Sequence, residues 1–363
     1  MKQSDLSRLA VSAFCALALT ASALPGLSAE ITIPSQVPVN LKPELAAKFT
    51  YIEDGEFTNA LKIPTYQWMP VNREPQAIVL GVHGLTLHGR RFWALARTFA
   101  VSGIGFVSFD MRGFGRCRFD DNKQFSTDKE NRRKISHEKS YEDLVALANL
   151  VRQKYPNKPI VVLGESLGCT FCVRLAAEHK DLVDGIILSA PAVKVNARMW
   201  ASPGEVERGI KAVISPTHKV NLNAFITKLV SQRQEVIKEM LDDPLVLKQV
   251  SLLDLISTDE FVEKTAKYGK GISDKLPILI LQGGGDFCVA PKAVTDLMSN
   301  MPSTDQTLRW LGNIGHLQLE TSYIRSLVID AIGDWIQDHS DSAKVELQAL
   351  EQAIKDTGGT LVE

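Results

Sequence analysis

The sequence predicts an α/β fold: a mostly parallel central sheet with helices on both faces and a helical cap inserted before the last two strands. From Ala77 onward, short apolar runs alternate with segments of helical spacing, a pattern typical of chains that build parallel sheets. The apolar runs are continuous, which indicates strands that are covered on both faces. Between Val193 and Leu276 the alternation stops, and helical spacing without a convincing strand takes its place.

The predicted elements follow one another along the chain. Upstream, GEFTNALKIPTYQWMP predicts an antiparallel hairpin that leads into the sheet. The next strands and helices are, in turn, AIVLGVHG, FWALARTFAVSG, GFVSFDMRG, SYEDLVALANLVRQKY, PIVVLGES, LGCTFCVRLAAEH and DGIILSAP. After the cap we expect the strand LPILILQGGGD, a helix near 291–300, the strand QTLRWLG, and a helix from Tyr323 to about Asp338.

Five segments make up the predicted organisation. They are a signal peptide at 1–29, the first part of the core at 30–194, the cap at 195–272, the second part of the core at 273–340 and a polar tail at 341–363. A structureless loop as long as the cap would be unusual in a compact domain, and insertions of this length are usually functional.

The N-terminus has the layout of a secretory signal. Lys2 and Arg8 precede the apolar stretch from Leu9 to Leu24, and small residues follow up to Ala29. We expect cleavage and export, to the periplasm or out of the cell. An uncleaved membrane anchor is the alternative, but a mostly apolar stretch of sixteen residues falls short of the ~20 that a spanning helix needs.

The composition argues against several classes of protein. Lys and Arg (41) nearly balance Asp and Glu (42), and no long block of one sign occurs, so no nucleic-acid partner is indicated. No Cys/His cluster has the spacing of a metal site. LQGGGD follows a strand but lacks both the GxGxxG spacing and the lysine of a phosphate loop. We therefore expect neither a metal nor another cofactor.

Four cysteines would remain after removal of the signal: Cys117, Cys169, Cys172 and Cys288. An even number in an exported chain permits disulfides, and their pairing stays open. Cys169 and Cys172 lie one helical turn apart, which suits small core residues better than a bridge.

The segment LGESLG places Ser166 at a sharp turn from a strand into a helix. Glycines on either side remove the Cβ atoms that would clash in so tight a bend, and the serine is exposed at the carboxyl edge of the sheet. A serine hydroxyl needs a histidine as base, and the histidine needs a carboxylate to fix its tautomer. In this chain order the acid and then the histidine should follow the serine, which selects Asp286 and His316.

Negative charge on the carbonyl oxygen of a substrate needs backbone N–H donors already in place. The first predicted donor is Leu167, directly after the serine at a helix start. The second is Leu85 in HGLTLHG, since Gly84 allows the backbone to approach closely.

Other polar residues have structural interpretations. We expect His83 to order the loop before Leu85, and Asp110 to have a structural role beside Arg112. His218 lies in the cap, where it would be near a substrate. Charged and exposed surroundings are predicted for His137, His179 and His339.

Taken together, these motifs resemble an α/β-hydrolase of the monoacylglycerol lipase and lysophospholipase group, in the serine aminopeptidase S33-like set. The resemblance covers about residues 50 to 338. It rests on HGLTLHGRRFWALARTFA, DMRGFGRC, GESLG, GGGDFCVAP and GHLQLE, in that order. It implies Ser166 as nucleophile, Asp286 as acid, His316 as base, and Leu85 and Leu167 as oxyanion donors.

The chain departs from the pattern of that group at several positions. Glu165 replaces a common histidine, Cys169 a second glycine and Cys117 a usual serine, while Cys288 lies in the acid loop. We expect Glu165 to alter the charge of the pocket and to disfavour anionic substrates.

The cap holds more apolar residues than a solvated helix needs, and some of them would line an acyl tunnel. These residues include Phe225, Ile226, Leu229, Val230, Leu241, Leu245, Leu252 and Leu255. The predicted substrate is a small acyl ester or lipid, such as a monoacylglycerol or lysophospholipid, with transient contact to a membrane surface. Alternatives are a peptidase, amidase or lactonase on the same residues, or an inert ligand-binding protein. The sequence leaves the oligomeric state open.

Overall fold

The structure, a computed structural model, describes residues 49–118, 134–194 and 219–339. The signal peptide and the polar tail lie outside these ranges, as do residues 195–218 of the cap, including His218. Export therefore stays a prediction from the N-terminal sequence. Within the described ranges, none of the helices combines the length and apolar character needed to cross a bilayer.

Eight strands form one mixed sheet in the order β1-β2-β4-β3-β5-β6-β9-β10. Their bounds are β1 Phe49–Glu53, β2 Thr65–Pro70, β3 Ile78–Val82, β4 Gly105–Phe109, β5 Ile160–Glu165, β6 Gly185–Ser189, β9 Ile278–Gly283 and β10 Gln306–Leu311. From β4 to β10 every neighbouring pair is parallel, and only β1–β2 and β2–β4 are antiparallel. The central strands are buried along their whole length, which confirms the prediction made from their continuous apolar runs.

The predicted hairpin upstream of the sheet is only partly correct. β1 and β2 pair antiparallel, with Phe49 opposite Pro70, but the segment GEFTNAL between them forms helix α1 (Glu56–Leu61). Phe57 is buried in the core from this helix, and Lys62 ends it in the left-handed region at φ 59°. Burial of Phe57 thus favours a helix over a longer strand.

Helices cover both faces of the sheet, as predicted. They are α2 Trp93–Ser102, α3 His137–Lys154, α4 Leu167–Glu178, α9 Pro291–Asn300 and α10 Ser326–Asp338. Leu95 of α2 and Trp335 of α10 belong to one apolar cluster, whereas Leu144 of α3 and Phe171 of α4 belong to the cluster on the opposite face. The last helix begins three residues later than the sequence indicated.

The described part of the cap is mostly helical, but the prediction that it holds no strand is wrong. Its helices are α5 Asn223–Phe225, which continues as a π-helical turn at Ile226–Val230, then α6 Gln234–Asp242, α7 Leu252–Val262 and α8 Thr265–Gly269. A two-stranded antiparallel ribbon, β7 (Lys219–Asn221) with β8 (Gln249–Ser251), pairs Val220 with Val250. Strands of three residues are too short to show a period in the sequence.

His137 is buried, which contradicts its predicted exposure. It begins α3, stacks on Phe261 of the cap with ring centroids 5.0 Å apart, and lies 2.9 Å from the hydroxyl of Thr258. Burial lowers the pKa of His137 to about 4, so the ring is neutral at physiological pH. His179 and His339 are half-buried.

Cys117, Cys169, Cys172 and Cys288 are all buried and unpaired in the described part of the chain. The thiol of Cys169 donates to the carbonyl oxygens of Gly164 and Ser189, at 3.2 and 3.3 Å. The prediction of Cys169 and Cys172 as core residues is thus confirmed.

Candidate active site

Ser166 lies at the turn between β5 and α4 with φ 54° and ψ −114°, a conformation that few non-glycine residues adopt. The chain accepts this turn because a Cβ at Gly168 would lie 2.0 Å from the carbonyl oxygen of Val82, and one at Gly164 would lie 2.5 Å from the carbonyl carbon of Gly168. Both glycines are therefore required by close backbone packing. The sharp turn predicted from LGESLG is present.

The structure brings the predicted serine, histidine and acid together. Asp286 follows β9 and His316 follows β10, so both reach the edge of the sheet where β5 delivers Ser166. Nδ1 of His316 lies 2.9 Å from Oδ2 of Asp286, and Nε2 lies 2.8 Å from Oγ of Ser166. Because a carboxylate only accepts, Nδ1 carries the proton, and Nε2 is left to accept from the serine hydroxyl.

Asp286 is held as a carboxylate acceptor. Its Oδ1 accepts from the N–H groups of Cys288 and Val289 at 2.7 and 2.9 Å, and Gln282 donates to Oδ2 at 3.2 Å. Burial alone would raise the pKa of Asp286, but His316 and the two N–H donors outweigh burial and lower it.

Burial would lower the pKa of His316, but the negative charges of Asp286 and Glu165 raise it, and the net shift is upward.

The backbone of the loop that carries His316 is hydrogen-bonded to the cap. The N–H groups of His316 and Leu317 both donate to the carbonyl oxygen of Val230, at 3.1 and 3.0 Å.

The two predicted N–H donors, Leu85 and Leu167, line the same pocket as Ser166 and His316. Leu167 is the first residue of α4, and the N–H groups of a first helical turn are free of intrahelical partners. In the loop before Leu85, a Cβ at Gly84 would lie 3.6 Å from Cβ of Ser166. Four of the five predicted site residues thus line one cavity, and the fifth, Asp286, lies behind His316.

His83 orders this loop, as the sequence indicated. Its Nε2 accepts from the N–H of Met111 at 3.0 Å, so Nδ1 carries the proton and donates to the carbonyl oxygen of Gly84 at 2.8 Å. Burial lowers the pKa of His83 to about 4.

The pocket beside Ser166 is a cavity of about 160 Å³ with mostly apolar walls. Of the cap residues predicted to be near an acyl chain, Phe225, Val230 and Leu255 line it. The other five either pack in the apolar clusters or lie elsewhere in the cap. Met240, Thr258 and Val262 also line the cavity, and none of them was predicted from the sequence. Their spacing is helical, and only the fold shows which face meets the site.

Asp110 has the structural role that was predicted: it is buried and accepts from the N–H groups of Gly89 and Arg116, at 2.9 and 2.8 Å. It does not pair with Arg112, which instead binds Asp143. The carboxylate of Glu165 is fully buried and accepts from backbone N–H groups of the loop after His316. Its effect on the charge of the pocket and on anionic substrates stays a prediction.

Possible metal ligands occur once among the described residues, where ligand atoms of Asp286, Cys288 and His316 lie within 4.8 Å of one another. Each is already engaged, and the thiol of Cys288 donates to the carbonyl oxygen of Leu229 at 3.4 Å. Burial raises the pKa of Cys288 well above 9, and a protonated thiol is a poor metal ligand. The arrangement favours the hydrogen-bonded chain over a metal site.

Ion pairs attach the cap to the core beside the site. Asp243, at the end of α6, lies 2.9 Å from Nε2 of His88 and 3.5 Å from Nη1 of Arg91, and Glu239 lies 3.3 Å from Nη2 of Arg91. Burial opposes ionisation of Asp243, but His88 and Arg91 lower its pKa. These contacts hold α6 over the core.

A mostly parallel sheet with a serine at a strained strand-to-helix turn, and an acid and a histidine after later strands, defines the α/β-hydrolase fold. The chain belongs to the serine aminopeptidase S33 family, whose sequence model matches residues 73–320.

Relatives and solved structures agree with this assignment. The chain is 23% identical to a monoglyceride lipase of Rattus norvegicus, over 86% of this chain and 96% of that protein. It is 24% identical to a monoacylglycerol lipase of Mycolicibacterium smegmatis, over 75% and 91%. A soluble variant of monoglyceride lipase from Saccharomyces cerevisiae, in complex with a substrate analogue, superposes with a TM-score of 0.63 at 20% identity, covering 77% of this chain and 92% of that one. A carboxyl esterase from Bacillus coagulans gives 0.59 at 18% identity, covering 80% and 98%.

Proposed function

We propose that the protein hydrolyses carboxylic esters of apolar acyl chains, such as monoacylglycerols or lysophospholipids, through an acyl-enzyme intermediate on Ser166. One observation carries the proposal: a hydrogen-bonded chain from Asp286 through His316 to Ser166 opens into a cavity with mostly apolar walls. The family and its lipase and esterase relatives support the same reaction class.

In the proposed mechanism, Oγ of Ser166 attacks the ester carbonyl carbon while Nε2 of His316 takes the serine proton. Asp286 stabilises the resulting imidazolium, and the N–H groups of Leu85 and Leu167 donate to the oxyanion. Collapse of the tetrahedral intermediate breaks the C–O bond, and the departing alcohol takes the proton from Nε2. Water then attacks the acyl-serine with the same base, releasing the fatty acid and restoring the hydroxyl.

The apolar walls predict how rate depends on acyl length. For p-nitrophenyl esters from acetate to octanoate, we expect kcat/KM to rise with each added methylene. Burial of one CH₂ contributes about 0.8 kcal/mol, which is about fourfold per methylene while the chain stays inside the cavity. Purified protein and stopped-flow or steady-state release of p-nitrophenol measure the slope.

A matched pair of variants tests whether this cavity is the acyl site. Leu255→Gln places a polar group in the cavity wall and should flatten the slope, whereas Leu253→Gln, two residues away and half-exposed, should leave it unchanged. A slope that is flat in the unmodified protein contradicts the acyl assignment. Faster cleavage of aminoacyl p-nitroanilides than of any ester would instead indicate peptide substrates.

The raised pKa of His316 predicts the acid limit of activity. The base must be neutral to accept the serine proton, so activity is present above the pKa of His316 and lost as pH falls through it. Because the net shift is upward from 6.5, the acid limb of kcat/KM should have its midpoint above pH 6.5. A pH series with an uncharged ester measures it, and a midpoint below 6 would contradict the assignment of His316 as base.

A further inference from the structure

The side chain of Glu165 joins the turn of Ser166 to the loop of His316. Its Oε1 accepts from the N–H groups of Gln318 and Leu319 at 2.7 and 3.0 Å, and its Oε2 accepts from that of Glu320 at 3.0 Å. The hydroxyl of Ser189 donates to Oε1 at 3.0 Å. Three successive backbone donors on one carboxylate fix the position of the chain that begins two residues after His316.

Glu320, the last residue of that segment, continues the connection to the loop of Leu85. Its Oε1 accepts from the N–H of Gly84 at 2.7 Å, and its backbone oxygen accepts from Nε of Arg91 at 3.0 Å. Gly84 is thus held at both ends, since His83 donates to its carbonyl oxygen.

The orientation of the Gly84 carbonyl determines that of the next N–H. The carbonyl of Gly84 and the N–H of Leu85 belong to one planar trans peptide, in which they point in opposite directions. Fixing the carbonyl toward His83 therefore directs the N–H of Leu85 away from it. The contacts of His83 and Glu320 to Gly84 consequently orient the N–H of Leu85, the proposed oxyanion donor.

The carboxyl groups of Glu165 and Glu320 are both fully buried, but their surroundings differ. Burial raises the pKa of Glu165, and the net shift is upward, although three N–H donors and His316 act against it. Burial and then the charge of Glu165 raise the pKa of Glu320 well above 4.5, and its Oε2 has no hydrogen-bond partner among the described residues. The hydroxyl of Ser189 and three backbone N–H groups all donate to Glu165, as expected for a carboxylate, whereas the upward shift of Glu320 favours its neutral form.

We propose that Glu165 and Glu320 are positioning residues, which hold the base loop and the Gly84–Leu85 peptide in register with Ser166. Glu165 acts through the backbone of 318–320, and Glu320 acts through Gly84. The inference rests on the proposed function, because it concerns the alignment of the reacting groups. A misplacement of about 1 Å in such groups typically costs about 100-fold in rate.

The same isosteric change should have different effects at the two positions. Glu165→Gln replaces one acceptor oxygen by an NH₂ donor, and either orientation of the amide opposes a backbone N–H. We expect its kcat to fall about 100-fold with KM changed less than about threefold. Glu320→Gln keeps the acceptor for Gly84 and resembles a neutral acid, so its kcat/KM should exceed that of Glu320→Ala at least about tenfold.

A second readout separates positioning from a general loss of structure. The negative charge of Glu165 contributes to the raised pKa of His316, so Glu165→Gln should move the acid limb of kcat/KM to lower pH. Asp296→Asn, which removes an exposed carboxylate on α9, serves as control and should leave both kcat and the limb unchanged. Thermal unfolding of each variant shows which are folded.

The outcomes distinguish this inference from the proposed function. If unmodified protein neither cleaves esters nor reacts with a fluorophosphonate, the proposed function fails and this inference with it. If unmodified protein is active, a folded Glu165→Gln variant with kcat within about threefold and an unmoved acid limb overturns the inference alone. Should Glu165→Gln not fold, equal activities of the two Glu320 variants would overturn it instead.

Discussion

Ser166→Ala should lower kcat for ester hydrolysis by about 10⁵ to 10⁶, to the residual rate that binding and the oxyanion donors supply. Serine and base act as one unit, since neither transfers the proton without the other. His316→Ala should therefore cost about as much, and the Ser166→Ala/His316→Ala double variant should be no slower than either single variant. Initial rates with a p-nitrophenyl ester measure all three.

Fluorophosphonate labelling gives an independent measure of the same pair. Ser166→Ala should not be labelled, and His316→Ala should be labelled far more slowly than unmodified protein. Ser299→Ala and His179→Ala remove a serine and a histidine outside the site and serve as matched controls. If the initial rate of the double variant fell below that of either single variant by a further factor of similar size, the two residues would act independently, contrary to the proposed mechanism.

Gly168→Ala should destabilise the fold by about 3 kcal/mol or more and remove most activity. The added Cβ would meet the carbonyl oxygen and carbon of Val82, at 2.0 and 2.8 Å. Backbone atoms cannot rotate away as a side chain can, so β3 or α4 must shift. Because Val82 leads into Gly84 and Leu85, the shift would also displace the predicted oxyanion donor.

Gly333→Ala is the matched control for this change. Gly333 lies inside α10, and nothing lies within 4 Å of a Cβ built on it. Alanine is favoured over glycine in a helix interior by about 0.5–1 kcal/mol, so this variant should be slightly more stable and equally active. Urea unfolding of both variants provides the comparison. A Gly168→Ala variant as stable as the unmodified protein would contradict the packing described at the turn.

Patterns among a few neighbouring residues in the sequence were sufficient to predict much of the candidate site. The glycines around Ser166 report a close backbone approach, and the apolar runs before Asp286 and His316 indicate strands that end at the same edge. Such signals are contained within a few neighbouring residues. The succession of strands and helices along the chain and the positions of these three residues follow from them, whereas the order of the strands within the sheet does not.

Features that depend on distant contacts were not predictable in the same way. The carboxylate of Glu165 binds residues more than 150 positions away, and nothing near Glu165 in the sequence indicates this. His137 is surrounded by charged residues in the chain but is covered by Phe261 of the cap. Phe57 selects a helix for its segment by reaching the core. In each case tertiary packing overrides the local pattern.

The carbonyl of Val230 accepts two N–H groups from the loop of His316, so movement of this part of the cap would disturb the proposed base. If the cap moved away from the core as a rigid body, both hydrogen bonds to Val230 would break. The loop of His316, the proposed base, would then be less ordered. The cap can therefore open with the imidazole of His316 still aligned only if the π-helical turn at Ile226–Val230 keeps its contacts to the core while other parts of the cap move. Changes that detach this turn should impair kcat as well as KM.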